Sequence, residues 1–148
     1  KLCLRVKPDD IEKILTTNLK SAMVLTNYLS RQFLKAKDVS VVNMSSVVGL
    51  MGNTAQTVYA ASKAGLIGVV RHMATLFGKH GIRVNALTPG GVYDKHEVIF
   101  EERYSRRTAL RRMATWSDYN GAILFLASDA SRYMTGANLV IDGGWTAQ

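Results

Sequence analysis

The chain has 148 residues, of which 47% are hydrophobic and 20% charged, with 12 Gly, 2 Pro and one Cys. This composition excludes collagen, coiled coil and disorder, and a single cysteine, Cys3, excludes an internal disulfide or a cysteine-based zinc site. The net charge is +8, but no nucleic-acid-binding signature accompanies it and no stretch has the roughly 20 apolar residues of a membrane span. We therefore expect one unit over residues 1–148, with no nucleic-acid or membrane partner and a cytoplasmic location.

The first predicted element is a long amphipathic helix. Lys7-Pro8-Asp9-Asp10 is typical of a helix start, because proline suits the first turn and acidic residues favour the positive end of the dipole. Apolar residues then recur at helical spacing to about Lys35. Asn18 falls inside this apolar stripe, where a buried amide is costly unless hydrogen-bonded. On this feature alone, Asn18 is a core residue that kinks the helix.

Two strands and a second helix follow. Residues 39–44 form a short β-branched run, which predicts a buried strand, and residues 45–53 are loop-like. Apolar spacing predicts a helix over about 56–79. Residues 82–87 predict the next strand, which Pro89-Gly90-Gly91 stops.

The last third begins with a polar, basic segment. Residues 92–115 have weak periodicity and predict a mobile insertion with short helices. Ser117 is the expected cap of a helix over 118–126, and residues 138–141 predict a final strand. Asp142-Gly143-Gly144 is then a tight turn rather than a metal site.

The alternation of helices and strands predicts a parallel sheet built through right-handed crossovers. The fold class is therefore α/β, with three strands of a doubly wound sheet and flanking helices. Such sheets bind ligands outside the carboxyl ends of their strands. The loops that begin at Ser45 and at Pro89 leave those ends.

The chemistry centres on a Tyr-x-x-x-Lys pair, Tyr59 and Lys63. A spacing of four places both side chains on one helix face, although the pair alone is a weak signal. Its placement strengthens it, because the helix starts just after a loop that leaves a strand and contains Ser46. With Asn18 on the preceding helix, these polar groups can converge at the ligand end of the sheet.

This constellation resembles the short-chain dehydrogenase/reductase family, and the resemblance covers nearly the whole chain. The segment Ser45-Ser46-Val47-Val48-Gly49, followed by Gly52-Asn53 and Gln56, is most similar to the 3-oxoacyl-carrier-protein reductase branch. The matching segments are Asn43-Met44-Ser45-Ser46, Tyr59-Ala60-Ala61-Ser62-Lys63-Ala64-Gly65, Arg83-Val84-Asn85-Ala86, Pro89-Gly90, Phe125-Leu126-Ala127-Ser128-Asp129 and residues 133–144.

The resemblance implies a role for each of four residues. Tyr59 would be the general acid in reduction and the base in oxidation, helped by the ammonium of Lys63, which favours the phenolate and also bonds the nicotinamide ribose. Ser46 would hydrogen-bond the substrate carbonyl as charge develops on its oxygen. Asn18 would hold a water that links Lys63 to solvent. Ser46 and Tyr59 are thus also the expected substrate-binding residues.

The resemblance also implies a cofactor, NADP or NAD, with NADPH favoured by the branch. Pro89, Gly90 and the backbone of Val92 would line the nicotinamide, and no metal is implied. The residues that choose between NAD and NADP lie in family segments that this sequence does not contain.

Two departures from the family pattern matter. The glycine-rich turn that cradles the pyrophosphate and the later Asn-Asn-Ala-Gly motif do not occur. We therefore interpret the sequence, which begins with Lys1, as the C-terminal portion of a Rossmann-like domain, inactive if it stands alone. Asp94 occupies a position where many relatives have Thr. A carboxylate beside a pyrophosphate is unfavourable, so we expect this loop to follow a different path.

Three functions remain open. The first is an oxidoreductase that transfers a hydride between a nicotinamide cofactor and a carbonyl/alcohol pair, with a small or carrier-protein-linked 3-oxoacyl thioester as substrate. The second is a sugar or polyol dehydrogenase, suggested by Pro89-Gly90-Gly91-Val92 and by Asp142-Gly143-Gly144-Trp145. The third is a catalytically silent partner subunit or incomplete gene product, suggested by the missing phosphate loop.

The resemblance implies a substrate lid over 92–115 and a homotetramer or dimer assembled through the two long helices. Arginines between Arg103 and Arg112 either form a solvated surface, the favoured interpretation, or steer an anionic substrate. Val69, Met73 and Leu76 are expected on the outer face of the second helix, as subunit contacts.

Overall fold

The structure, a computed structural model, describes residues 6–36, 38–52 and 55–147. Cys3 and Asn53, which the sequence analysis uses, lie outside these residues. Short 3-10 turns cover Val47–Gly49, Trp116–Tyr119, Asp129–Ser131 and Trp145–Ala147. The helices and strands are α1 (Pro8–Leu15), a π segment (Thr16–Lys20), α2 (Ser21–Phe33), β1 (Ser40–Met44), α3 (Thr57–Gly78), β2 (Arg83–Pro89), α4 (Val98–Arg106), α5 (Asn120–Ala127) and β3 (Asn138–Ile141).

The three strands form one parallel sheet in the order β1-β2-β3. Val42 lies opposite Asn85 at one interface, and Leu87 lies opposite Leu139 at the other. Parallel neighbours require crossover connections, and α3 provides the one between β1 and β2. The predicted α/β class and parallel pairing are confirmed.

Helices cover both faces of the sheet. On one face Val84 and Ala86 of β2 pack with Val70, Ala74 and Phe77 of α3. On the opposite face Leu87 of β2 packs with Tyr119 and with Leu126 of α5. Burial on both faces includes two polar residues of the central strand, Asn85 and Thr88, which are fully buried and hydrogen-bonded. It also leaves the carboxyl ends of the strands as the place where loops meet.

The first helix departs from its prediction as a single helix to about Lys35. The π segment Thr16–Lys20 interrupts it, and α2 ends at Phe33. Asn18 lies inside the π segment and is half-buried. Wide turns of this kind bend helices and occur often at functional sites. The expected disturbance at Asn18 is present, in the form of a π segment.

The predicted cap of the last helix is wrong. Thr115, rather than Ser117, begins this region, and α5 starts only at Asn120 after the turn Trp116–Tyr119. The backbone N–H of Thr115 donates to Asp118 Oδ2 at 2.7 Å. Arg112 forms an ion pair with the same carboxylate at 2.7 Å, and these contacts hold the pKa of Asp118 well below its usual range. The charged network therefore fixes the end of the 92–115 segment.

The surface of α3 is less apolar than expected. Met73 packs against the core cluster of α3 and β2, and Val69 is half-buried, whereas Leu76 is exposed. Larger exposed apolar side chains lie on α2, where Val24 is 58% and Tyr28 74% exposed. Assembly through the long helices stays a prediction. No helix among the described residues is long and apolar enough to cross a membrane.

Candidate active site

An open cleft of roughly 950 Å³ lies at the carboxyl end of the sheet. Ser46 follows β1, Tyr59 lies in the first turn of α3, and Gly90 follows β2. All three line this cleft. The structure thus brings together three of the predicted residues because parallel strands end at the same edge.

The loop that carries Ser46 is fixed against α3. Ser45 is buried, and its hydroxyl donates to the carbonyl oxygen of Lys63 at 2.8 Å. Gly49 approaches the same turn so closely that an added Cβ would lie 2.8 Å from the Lys63 carbonyl carbon. The backbone N–H of Val48 donates to Ser46 Oγ at 3.4 Å. These contacts hold Ser46 on the side of the cleft where Tyr59 lies.

Lys63 lies one helical turn beyond Tyr59. Its Nζ is 5.6 Å from the centroid of the Tyr59 ring and donates to the carbonyl oxygen of Met44 at 2.7 Å. Partial burial lowers the pKa of Lys63. The ammonium is therefore anchored to the end of β1 close to the tyrosine ring, although Lys63 is not among the residues that line the cleft.

Asn18 approaches Tyr59 through an intervening serine. Its Nδ2 donates to Ser62 Oγ at 3.2 Å, and the Ser62 hydroxyl donates to the Tyr59 carbonyl oxygen at 2.7 Å. Ser62 is fully buried and hydrogen-bonded to both neighbours, which suits a structural role. The structure thus connects Asn18 to the first turn of α3, whereas its predicted water relay to Lys63 stays a prediction.

Two residues of the loop after β2, Gly90 and Val92, lie in different surroundings. Gly90 faces the cleft, and its carbonyl oxygen accepts a 3.4 Å hydrogen bond from Tyr119, whose pKa burial raises to about 12. Val92 packs toward the core cluster of Leu87 and is bridged to Ala114. Pro89 is the last residue of β2 and pairs with β3.

Asp94 is exposed and does not line the cleft. Its backbone N–H donates to His96 Nδ1 at 3.2 Å. The position of this carboxylate relative to a bound cofactor, and the different loop path expected from it, stay predictions.

An aromatic and cationic wall, formed by residues in and just after α4 and by the turn after β3, lines part of the cleft. Tyr104 of α4 stacks on Trp145 with ring centroids 4.1 Å apart and an angle of 19°. The guanidinium carbon of Arg107 lies 4.5 Å from the Trp145 ring centroid. Phe100 and Arg103 complete this wall. From the sequence, Trp145 is expected to be a packing or subunit-contact residue rather than one that stacks on a cofactor, and Tyr104 has no predicted role.

The carboxylate of Asp142 holds the turn after β3 that carries Trp145 of the cleft lining. Asp142 Oδ1 accepts from the Gly144 N–H at 2.9 Å, and Oδ2 accepts from the N–H and the hydroxyl of Thr146 at 2.8 and 2.6 Å. Partial burial acts in the opposite direction, but these hydrogen bonds lower the pKa of Asp142. The Asp142-Gly143-Gly144 pattern predicts this turn from the sequence. The contact of the turn with α4 joins residues far apart along the chain, so no local pattern predicts it.

The residues at the strand ends of the cleft are compatible with a flat cofactor ring. Across residues 6–36, 38–52 and 55–147, no group of three His, Cys, Asp or Glu side chains has the arrangement to hold a metal ion. Gly90 lines the cleft together with Ser46 and Tyr59, so its backbone and these two hydroxyls border the space in which a flat ring would lie beside the strand ends. An added Cβ at Gly90 would meet the Asp142 Cα at 2.9 Å, so this position has no room for a side chain.

The fold and this cleft define a Rossmann-like α/β protein with a serine, a tyrosine and a lysine at the carboxyl end of the sheet. The chain belongs to the short-chain dehydrogenase/reductase family. A family model described as Enoyl-(Acyl carrier protein) reductase matches residues 1–146. The resemblance seen in the sequence motifs is thereby confirmed.

The matches to relatives and solved structures also give the share of each of those proteins that this chain covers. It is 40% identical to the 3-oxoacyl-[acyl-carrier-protein] reductase FabG of Thermotoga maritima, over 97% of this chain and 60% of that protein. It superposes with a TM-score of 0.93 on 4-hydroxyisoleucine dehydrogenase complexed with NADH and succinate, at 34% identity, over 100% of this chain and 64% of that one.

A gluconate 5-dehydrogenase from Burkholderia cenocepacia in complex with NADP and tartrate superposes with a TM-score of 0.95 at 25% identity. The match covers 100% of this chain and 60% of that one. The chain thus spans about 60% of the length of the curated relative from Thermotoga and of this dehydrogenase.

Proposed function

We propose that the protein to which this chain belongs is an NAD(P)-dependent oxidoreductase acting on a carbonyl/alcohol pair. The observation that carries the proposal is one cleft lined by Ser46, Tyr59 and Gly90, with Lys63 Nζ 5.6 Å from the tyrosine ring centroid. A nicotinamide cofactor, when bound, would supply or accept the hydride. Gly90, with Pro89 and the backbone of Val92, would border its ring.

The chain's own residues would then handle the proton and the developing charge. In reduction, the Tyr59 hydroxyl donates its proton to the carbonyl oxygen, and in oxidation the phenolate takes it back. The Ser46 hydroxyl donates a hydrogen bond to the same oxygen as negative charge grows there. The Lys63 ammonium stabilises the tyrosinate electrostatically. Asn18 acts further out, through Ser62, to keep this turn of α3 in place.

For the substrate, a 3-oxoacyl thioester reductase is the leading proposal, because the Thermotoga relative carries that name at 40% identity. A hydroxy-acid or sugar-acid dehydrogenase is the second candidate. It is favoured by Arg103 and Arg107 in the cleft wall and by the dehydrogenases found with succinate and tartrate. NADP and NAD both stay in the proposal, since those two structures contain NADH and NADP respectively.

We further propose that residues 92–115, which contain α4, form the substrate lid, and that exposed apolar residues of α2 contribute to a homotetramer or dimer. A cytoplasmic location agrees with the presence of one cysteine in 148 residues. The competing proposal of a silent partner subunit predicts no turnover with any carbonyl substrate.

The test uses the protein expressed from its complete coding sequence. Tyr59→Phe keeps the ring and removes the transferable proton, so kcat should fall about 10²- to 10⁴-fold, the range of general acid catalysis. Lys63→Met should lower kcat and weaken cofactor binding together. Tyr133→Phe is the matched control, because that tyrosine is fully exposed and lies outside the cleft.

Steady-state kinetics with a neutral 3-oxoacyl thioester, with NADPH and with NADH, provide the readout, and circular dichroism checks the folding of each variant. Near-native activity of a folded Tyr59→Phe variant contradicts the proposed site. Absence of turnover by the unmodified protein, with thioesters and with keto acids alike, supports the silent partner instead.

A further inference from the structure

The wall formed by Arg103, Tyr104, Arg107 and Trp145 has a charge pattern that the proposed hydride transfer does not use. Two guanidinium groups border the cleft, and no Asp or Glu is among the described residues that line it. The remaining lining side chains there are apolar, aromatic or neutral polar. A cleft with one sign of charge and apolar walls concentrates ligands of the opposite sign.

The two arginines reach the cleft because of their spacing. Arg103 lies on α4 and Arg107 is the residue that ends it, so a spacing of four places them on one helix face. Arg106 lies between them in sequence, is exposed, and is not among the lining residues. Arg106 is therefore a cation of the same helix segment that does not line the cleft.

Arg107 is held in place by contacts that lead back to the loop after β2. Its guanidinium lies over Trp145, and Trp145 stacks on Tyr104. The Gly91 N–H donates a hydrogen bond to the Tyr104 hydroxyl, and an added Cβ on Gly91 would lie 2.5 Å from the tyrosine ring. The stack thus fixes the cation relative to Gly90. A pre-organised group loses less entropy when it binds a ligand.

The chemistry of this wall selects a planar anion. A guanidinium presents its donors in a rigid fork that matches a carboxylate, and it can stack on an aromatic ring while doing so. Burial raises the pKa of Tyr104, so its hydroxyl stays neutral and does not repel an anion. Resting on the proposed hydride transfer and choosing its second candidate over the thioester, we infer that the substrate is a small keto or hydroxy acid whose carboxylate is bound by Arg103 and Arg107 while Tyr59 and Ser46 contact its carbonyl.

The experiment compares acids with their neutral esters. The protein from its complete coding sequence is assayed with 3-oxobutanoate, 4-oxopentanoate and 5-oxohexanoate, which vary the distance from carbonyl to carboxylate, and with their methyl esters. At least one acid should have a higher kcat/KM than its ester. Arg103→Gln and Arg107→Gln should each reduce that preference about tenfold to a hundredfold, the value of a hydrogen bond to a charged group. Arg106→Gln, the matched control, should leave it unchanged.

A binding measurement separates this inference from the proposed function. With oxidised cofactor a ketone cannot react, so ligand-observed NMR reports binding of each acid and ester without turnover. Binding of an acid that Arg103→Gln weakens and Arg106→Gln does not supports the inference, even where no turnover occurs. Equal binding of acids and esters overturns it. Efficient reduction of the neutral N-acetylcysteamine thioester of 3-oxobutanoate, with no effect of the arginine variants on any substrate, also overturns it while the proposed hydride transfer stands.

Discussion

Neighbouring residues of the same type have separate tasks in this site. Ser45 is 3% exposed and bonds the backbone of α3, whereas Ser46 is half-buried and lines the cleft. Successive side chains in extended backbone point to opposite sides, so the Ser45 hydroxyl enters the protein and the Ser46 hydroxyl faces the cleft. The family motif contains both serines, but only the contacts of each side chain distinguish their roles.

This distinction predicts different outcomes for two substitutions. Ser46→Ala removes a hydrogen-bond donor to the carbonyl oxygen, so kcat/KM should fall about 10²- to 10³-fold with an unchanged free energy of unfolding. Ser45→Ala removes a buried hydrogen bond, so the free energy of unfolding should fall by about 1 kcal/mol with a much smaller kinetic effect. Urea unfolding and steady-state kinetics on both variants measure the difference. Equal kinetic losses in the two variants would contradict this assignment.

At the scale of elements, the spacing of apolar residues predicted the strands and helices well. Single polar residues and capping residues predicted their irregularities and ends less well. The three strands and the helix α3 followed from apolar runs and helical spacing, because those patterns report which face is buried. The π segment around Asn18 did not follow, although the polar residue in the apolar stripe indicated a disturbance. The cap at Thr115 was missed because the Asp118 carboxylate accepts hydrogen bonds from both Thr115 and Arg112, and only the folded segment brings Arg112 to it.

The residues of the candidate site also form two groups, one that the sequence predicts and one that it does not. Ser46, Tyr59 and Gly90 were predictable, because each lies at a strand end or in a motif of fixed spacing. The stack of Tyr104, Trp145 and Arg107 was not predictable from spacing, because it joins α4 to the turn after β3, about forty residues away along the chain. Long-range side-chain packing of this kind leaves no period in the sequence.

The turn after β3 gives a prediction that depends on pH. The Asp142 carboxylate accepts three hydrogen bonds, and its pKa in the folded state lies below the ordinary value of 3.8. A lowered pKa means that the stabilisation is complete above that ordinary value and is lost as the pH falls through the folded-state value. Asp142→Asn removes the charge and one of the two acceptor oxygens.

We therefore expect native protein to have a higher Tm than Asp142→Asn at pH 7, and the difference to shrink as the pH is lowered from about 5 to about 2. Differential scanning calorimetry across this range measures it, with Asp9→Asn as a control on the exposed first turn of α1. A difference in Tm that is constant with pH would show that the Asp142 charge does not stabilise the turn.

At the scale of the whole molecule, β1 is an edge strand among the described residues. It pairs with β2 on one side, and its run Ser40–Met44 has no charge or proline to protect the other side. Asn43 Nδ2 is buried and has no hydrogen-bond partner among the described residues. Buried amides are normally paired. An open edge beside a buried unpaired amide is where a further strand could pair.

The last prediction concerns the 148-residue chain expressed alone. Its sequence contains no glycine-rich turn at a helix N-terminus, the feature that binds the cofactor pyrophosphate in the family. The roles proposed for Ser46, Tyr59 and Lys63 concern only the reacting end of the cofactor, and Asn18 supports that end through Ser62. This chain should therefore show neither turnover nor saturable micromolar binding of NADPH or NADH. Nucleotide fluorescence titration and size-exclusion chromatography measure binding and aggregation at the open β1 edge. The protein expressed with any sequence that its gene places before Lys1 is titrated in parallel. Micromolar binding by a soluble, folded 148-residue sample would show that residues 1–148 suffice for the cofactor site.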